Sequence, residues 1–183
     1  MAMSNHKPAP QHTFADIYIH VQSKPFDLPD EMHQLQSTFD QQDQEVGAIS
    51  SFTGQVRAAT EDQSALDNSG KLLALSIEHY PGMTEKSLLE TCQLANKRWP
   101  FKACRVLHRV GYLTVGQPIV LVLVAASHRE QAMKACEFII DHLKTSAPFW
   151  KKAIFENTAE WVEAKSSDQL AIKRWQELSL IHI

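Results

Sequence analysis

The nine residues PIVLVLVAA, 118–126, form the most apolar run of the chain, and a helical pattern follows them directly. A membrane-spanning helix needs about 20 apolar residues, so this run is too short to cross a bilayer and reads instead as a strand. In the next segment, SHREQAMKACEFIIDHLKT, residues Ala132, Cys136, Ile139, Ile140 and Leu143 fall on one stripe at helical spacing. Ser127 and Glu130 have the S-x-x-E spacing of a capping box. Pro148 ends the pattern, because the residue before a proline is pushed out of the α region.

The remaining chain alternates in the same way. FADIYIHVQ reads as a strand, and residues 30–42 as a helix with Met32, Leu35 and Phe39 at helical spacing. VGAISSFTGQVR gives a strand from Val46 to about Thr53, turning at Gly54, and KLLALSIEHY gives another. A helix follows PG in PGMTEKSLLETCQLANKRW, with Thr84 as its expected cap and Leu88, Cys92 and Ala95 on one face. CRVLHRVGYL and QPIVLVLVAAS read as two strands with a turn near Gly116, ENTAEWVEAK as a short strand or turn, and the segment from Ser167 as a C-terminal helix or tail. Mixed strands and helices predict an α+β or α/β sandwich. Residues 1–13 read as a disordered leader, 14–175 as one domain and 176–183 as an extension.

A net charge of −3 over 183 residues argues against general nucleic-acid or membrane-surface binding, which needs an excess of Lys and Arg. The three cysteines, Cys92, Cys104 and Cys136, form no CxxC pair and read as small buried hydrophobes in a reducing compartment. No apolar leader is present in MAMSNHKPAPQHT, and a cytoplasmic location is expected. The nine histidines are scattered. Cys104 and His108, on one strand, would lie roughly 13 Å apart, so no metal site is expected.

Four places could carry chemistry. His128 and Arg129 sit at a helix start, where free N–H groups and the dipole favour an anion; the plainer alternative is two solvated residues beside a cap. Arg57 ends the FTGQVR strand beside the polar loop 58–70, a good place for a site residue, although by itself it reads more simply as an exposed strand end. Lys144, in the last turn of its helix, is favourable there to the dipole without any further role. Lys151 and Lys152 follow Phe149 and Trp150, whose packing would hold the segment rigid and bury part of a lysine stem, lowering its pKa. His128 and Lys144 are sixteen residues apart on one helix. That is about 24 Å, so they can serve one small ligand only if two copies of the chain assemble the site.

The segments FTGQVR, LSIEHYPGMTEK, RWPFKACRVLHRVGYLTVGQ, ASHREQAMKACEFIIDHLKTSAPFWKK and WVEAKSSD, in colinear order, resemble the catalytic (large) subunit of molybdopterin synthase. The resemblance implies an α/β hammerhead with a small additional antiparallel β subdomain, without metal or organic cofactor of its own. It implies a homodimer within a heterotetramer, each copy binding a small ubiquitin-like sulfur-carrier subunit. The carrier's C-terminal Gly-Gly thiocarboxylate would deliver sulfur, twice, to cyclic pyranopterin monophosphate, forming the dithiolene of molybdopterin.

By the same resemblance Lys144 and Lys151 are catalytic, while Gln55, Val56, Arg57, His128, Arg129, Lys152 and Lys165 bind substrate, His128 and Arg129 from the neighbouring copy. Two departures stand out: Lys165 replaces a common arginine, losing the planar fork, and Gln55 replaces a common lysine. The competing readings are a Schiff-base lyase using Lys144 or Lys151, and a non-catalytic module for a ubiquitin-like partner.

Overall fold

A computed structural model describes residues 15–40, 45–58, 70–145, 147–162 and 174–175. Elements follow the order β1 (Asp16–Gln22), α1 (Leu28–Asp40), β2 (Ala48–Gln55), β3 (Leu72–His79), α2 (Met83–Arg98), β4 (Ala103–Arg109), β5 (Gly111–Thr114), β6 (Pro118–Ala126), α3 (Arg129–Thr145), β7 (Phe149–Phe155) and β8 (Ala159–Trp161). The strands form two four-stranded sheets, β1-β4-β6-β2 and β5-β3-β7-β8. The mixed α+β class and the added antiparallel sheet agree with the sequence reading.

The first sheet explains the PIVLVLVAA run. Successive strand residues point to opposite faces. Leu121, Leu123 and Ala125 pack with Leu35 of α1, while Val120, Val122, Val124 and Ala126 pack with Leu88 and Cys92 of α2 and with Ala132, Phe138 and Ile139 of α3. Helices cover both faces of β6, so neither set of side chains can be polar. Each such Val or Leu is stabilised by about 1.5–3 kcal/mol relative to exposure. A buried cation on the α1 face, Arg105, is satisfied: its guanidinium lies 2.6 Å from the Glu31 carboxylate and 2.7 Å from the Gln34 amide oxygen, over the Tyr18 ring.

The segment CRVLHRVGYL is not one strand. It divides between the sheets: β4 pairs β1 and β6, and β5 pairs β3. Gly111 makes the change of direction with φ 90°, a left-handed backbone that glycine adopts without a Cβ clash. The second sheet closes on the first through a small core of Val56, Ile77 and Leu113.

Two expected caps are corrected. Thr84 lies inside α2, buried; its hydroxyl is 3.0 Å from the Tyr80 carbonyl and 3.3 Å from the Pro148 carbonyl, tying the start of α2 to the start of β7. The free donor at the start of α2 is instead the Gly82 N–H, which donates to the Glu85 carboxylate at 2.7 Å. Ser127 and Glu130 form no capping box either. The Ser127 hydroxyl donates to the Glu45 carbonyl, and Glu130 pairs with Lys134, one helical turn on. Gly47 is required beside Ser127, because a Cβ there would run into the Ser127 carbonyl oxygen.

Trp175 is buried against Trp99 and Phe138, and its indole N–H donates to Asp141 at 2.8 Å. The expected leader and C-terminal extension, and residues 59–69 of the polar loop, lie outside the described residues.

Candidate active site

Two lysines approach the end of the first sheet where β2 finishes. Helix α3 runs back along the sheet from β6, so its last turn returns to that end. Lys144, exposed in this turn, lines a cavity of about 450 Å³ between α3 and the edge strand β2, together with Ser50, Phe52, Met133, Ile140 and Asp141. Phe52, Met133, Cys136 and Ile140 make its apolar part, and its charged lining is one lysine, Lys144, with two carboxylates, Glu137 and Asp141. A cation at this position is favoured by the helix dipole, yet it also overhangs a groove that could hold an extended chain.

Lys151 reaches the same end from the second sheet. Residues directly opposed across an antiparallel pair share a face. Lys151 is opposite Ile77, and Phe149 is opposite His79. Ile77 is buried in the core between the sheets, so the half-buried Lys151 stem also points inward. There its charge is felt by His108, whose pKa is lowered to about 3, first by burial and then by Lys151. His108 is paired to Val120, and Val120 to Gly54 of β2. Lys144 thus lies beside Phe52 of β2, while Lys151 faces the junction near His108, two strands across the sheet from Gly54. Glycine is required at position 54, since a Cβ there would sit 2.8 Å from the Val120 side chain and 3.3 Å from the Phe52 ring, which already fill the space over it.

Beyond Gly54 the chain presents Gln55 and Arg57, both exposed, with Val56 buried between them. The Val56 side chain does not share their exposure. Its side chain sits in the small core, its N–H donates to the Gln117 carbonyl, and its own carbonyl accepts from Gly116. It anchors the segment that displays its two neighbours.

Lys152 points the other way from Lys151. Strand alternation turns it to the outer face of the second sheet, opposite Trp161, with its ammonium 5.7 Å from that ring. It does not share the face of Lys151. The aromatic pair divides in the same way: Phe149 enters the core, whereas Trp150 is 49% exposed. Lys165 lies outside the described residues.

His128 and Arg129 sit exposed at the start of α3, beside the Gly47–Ser127 contact at the opposite end of β2. One chain thus separates them from Lys144 by the length of α3. The residues that sequence reasoning missed are His108 and the strand character of FWKKAIF. Alternation there was hidden by four consecutive bulky or cationic residues, and only pairing to β3 reveals which lysine faces in.

The cysteines offer no nucleophile. A hydrogen bond with Cys92, then burial, pushes the Cys104 thiol well above its ordinary pKa, and burial pushes Cys136 up. Thiols held protonated are poor carriers of sulfur. Among the described residues no cluster of three His, Cys, Asp or Glu could hold a metal, and no helix is long and apolar enough to cross a membrane.

An α+β chain of two sheets, with cations gathered around the end of an edge strand and its three cysteines buried, defines a class that handles an anionic substrate by charge and position. Comparison with known proteins supplies the family. The sequence model of the MoaE protein matches residues 21–146. The molybdopterin synthase catalytic subunit of Vibrio cholerae is 44% identical over 161 residues, covering 88% of this chain and 99% of the relative. The solved molybdopterin biosynthesis MoaE protein of Burkholderia ambifaria superposes with a TM-score of 0.69 at 39% identity, covering 87% of this chain and 98% of that one. The fold also matches a chain in the complex of subunits 1 and 2 of molybdopterin-converting factor from Helicobacter pylori, with a TM-score of 0.60 at 19% identity, covering 82% and 92%. The chain belongs to the MoaE family, that of the molybdopterin synthase catalytic subunits.

Proposed function

We propose that this chain transfers sulfur from the thiocarboxylated Gly-Gly terminus of a small ubiquitin-like carrier subunit to cyclic pyranopterin monophosphate, building a dithiolene in two successive steps. The observation that supports the reading is Lys144 overhanging the groove along β2, with Lys151 turned into the junction between the sheets, in a member of this family. The groove along β2 suits an extended, glycine-ended tail, which needs little width. Lys144 then stands over the tail's terminus, where it polarises the thiocarboxylate or protonates the oxygen that leaves as the C–S bond forms. Lys151 assists from the inner face of β7.

Arg57, with Gln55, holds the pterin phosphate side of the substrate, and a bidentate guanidinium suits that group. His128 and Arg129 contribute a second anion contact from a neighbouring copy, because in one chain they lie at the far end of α3 from Lys144. This requires a homodimer with antiparallel approach of the two α3–β2 faces, carried within a heterotetramer with two carrier subunits. Lys165 completes the cationic rim by its position in WVEAK. Lys152 lies outside the pocket. The reaction belongs in the cytoplasm, where thiols and thiocarboxylates are kept reduced.

The test is to mix the protein with a thiocarboxylated carrier and cyclic pyranopterin monophosphate and to measure dithiolene formation. Product formation is expected. A chain that binds the carrier but yields no product overturns the reading.

A further inference from the structure

The groove beside Lys144 is short of positive charge for an anionic tail. Its lining sets two carboxylates, Glu137 and Asp141, against one ammonium, Lys144. Asp141 precedes Lys144 by three positions on α3, and side chains at that spacing are neighbours on a helix surface. Asp141 is therefore a ready ion-pair partner for Lys144. Such a pair would occupy the cation and leave Glu137 to repel the tail. The structure shows another arrangement. No ion pair among the described residues includes Lys144, and both carboxylates are claimed by one guanidinium.

Arg174 supplies it, 2.8 Å from the Glu137 carboxylate and 3.1 Å from that of Asp141. The next residue, Trp175, fixes where this guanidinium lies. Its indole is buried against Trp99 and Phe138. Its N–H donates to the same Asp141 oxygen, Oδ2, at 2.8 Å, and its carbonyl accepts from Arg98 at 3.2 Å. An exposed ion pair is worth little when two flexible side chains must be ordered to make it. Here the buried indole does the ordering, and the Asp141 side chain is only 16% exposed. Trp175 by itself would fasten this segment to α3. Arg174, half exposed, adds little to the core, and what it changes is the charge beside Lys144. With Arg174 counted, two cations balance the two carboxylates.

We propose that Arg174 is a positioning residue for Lys144: it takes up Glu137 and Asp141, so that the Lys144 ammonium stands unpaired over the groove and is available to an anionic terminus lying there. Trp175 anchors it from the core. The proposal rests on the assignment of Lys144 to the sulfur-transfer site.

The test reads Lys144 in the full-length protein. Trinitrobenzenesulfonate, an anionic reagent that attacks free amines, is the probe. Its rate at Lys144 is followed by mass spectrometry in wild type, Arg174→Ala, Arg174→Gln and Arg174→Ala/Asp141→Asn, with chemical denaturation to show that each variant is folded. Without Arg174, Asp141 turns to Lys144 and both carboxylates repel the reagent. The Lys144 rate should then fall about fivefold at low salt, the effect of like charges at close range in a partly solvated site. The fall should shrink at high salt, which screens exposed charges. Asn at position 141 still accepts from the Trp175 indole but carries no charge, so the double variant should return close to the wild-type rate. The kcat/KM for thiocarboxylated carrier should follow the same order. A clasp that only braces α3 predicts instead a double variant no faster than Arg174→Ala. That result overturns the proposal, as does an unchanged Lys144 rate in folded Arg174→Ala and Arg174→Gln. If the labelling follows the expected order while Lys144→Ala retains full turnover, the sulfur-transfer assignment of Lys144 fails and the role of Arg174 beside it stands.

Discussion

The two sheets contain four strands each, but they are covered differently. The first has α1 on one face and α2 and α3 on the other, and its central strand β6 has seven consecutive residues buried. The second has its inner face against the first, and among the described residues nothing covers its outer face, where Tyr112, Trp150 and Trp161 are exposed. A sheet covered on both sides can do little except fold. A sheet covered on one side can feed residues into a junction while keeping others on the surface, and Lys151 and Lys152 show this within one dipeptide. The fold is thus concentrated in the first sheet, and the candidate chemistry lies along the border where it meets α3 and β7.

The largest expected effect lies at that border. Lys144→Ala should reduce sulfur transfer by roughly 10²–10⁴-fold, the range for removing a group that moves a proton, and leave the fold and dimer unchanged. Turnover kinetics with size-exclusion chromatography measure both. An unfolded or dissociated variant would make Lys144 a structural cation at a helix end. In the core of the first sheet, Leu123→Ala should cost about 2–5 kcal/mol in chemical denaturation, because a cavity between two packed layers cannot collapse. Glu31→Ala should cost about 3 kcal/mol, since it strands the buried Arg105 guanidinium.

The junction gives a pH-dependent difference. His108 has a pKa of about 3 when folded against an ordinary 6.5, so the unfolded chain binds a proton that the folded chain refuses. Its contribution is complete above pH 6.5 and falls as pH drops toward 3, by roughly 1.4 kcal/mol per pH unit at most. Denaturation between pH 7 and pH 4 should therefore show a steeper acid loss in wild type than in His108→Phe. The smallest effects belong to the outer face: Lys152→Ala should change turnover by less than about twofold, and Trp161→Ala should change stability by about 0.5 kcal/mol or less. A large loss in Lys152→Ala would erase the distinction between the two faces of β7.

The same contrast explains what could be read from sequence. β6 and α3 were legible, because their patterns answer to burial alone. So were the α2 face, with Leu88, Cys92 and Ala95 buried, and the family itself. CRVLHRVGYL was misread as one strand because its residues alternate smoothly across Val110, and only the positive φ at Gly111 separates the sheets. Thr84 and Ser127 carry the right side chains for caps, but tertiary partners, the Pro148 and Glu45 carbonyls, claim their hydroxyls. FWKKAIF hid its strand because Trp150 and Lys152 face solvent while Phe149 and Lys151 face in, which mixes polarity on both faces. The distance between His128 and Lys144, by contrast, followed from helix geometry alone, and the structure places them at opposite ends of β2.

That separation underlies the central claim, a site shared between two chains. Arg129→Ala and Lys144→Ala chains, each inactive as a homodimer, are to be mixed, the heterodimer isolated with orthogonal tags, and dithiolene formation measured with thiocarboxylated carrier and cyclic pyranopterin monophosphate. One of its two sites then draws Arg129 and Lys144 from intact copies, so about half of wild-type activity is expected. No recovery in verified heterodimers would contradict a site built from two chains.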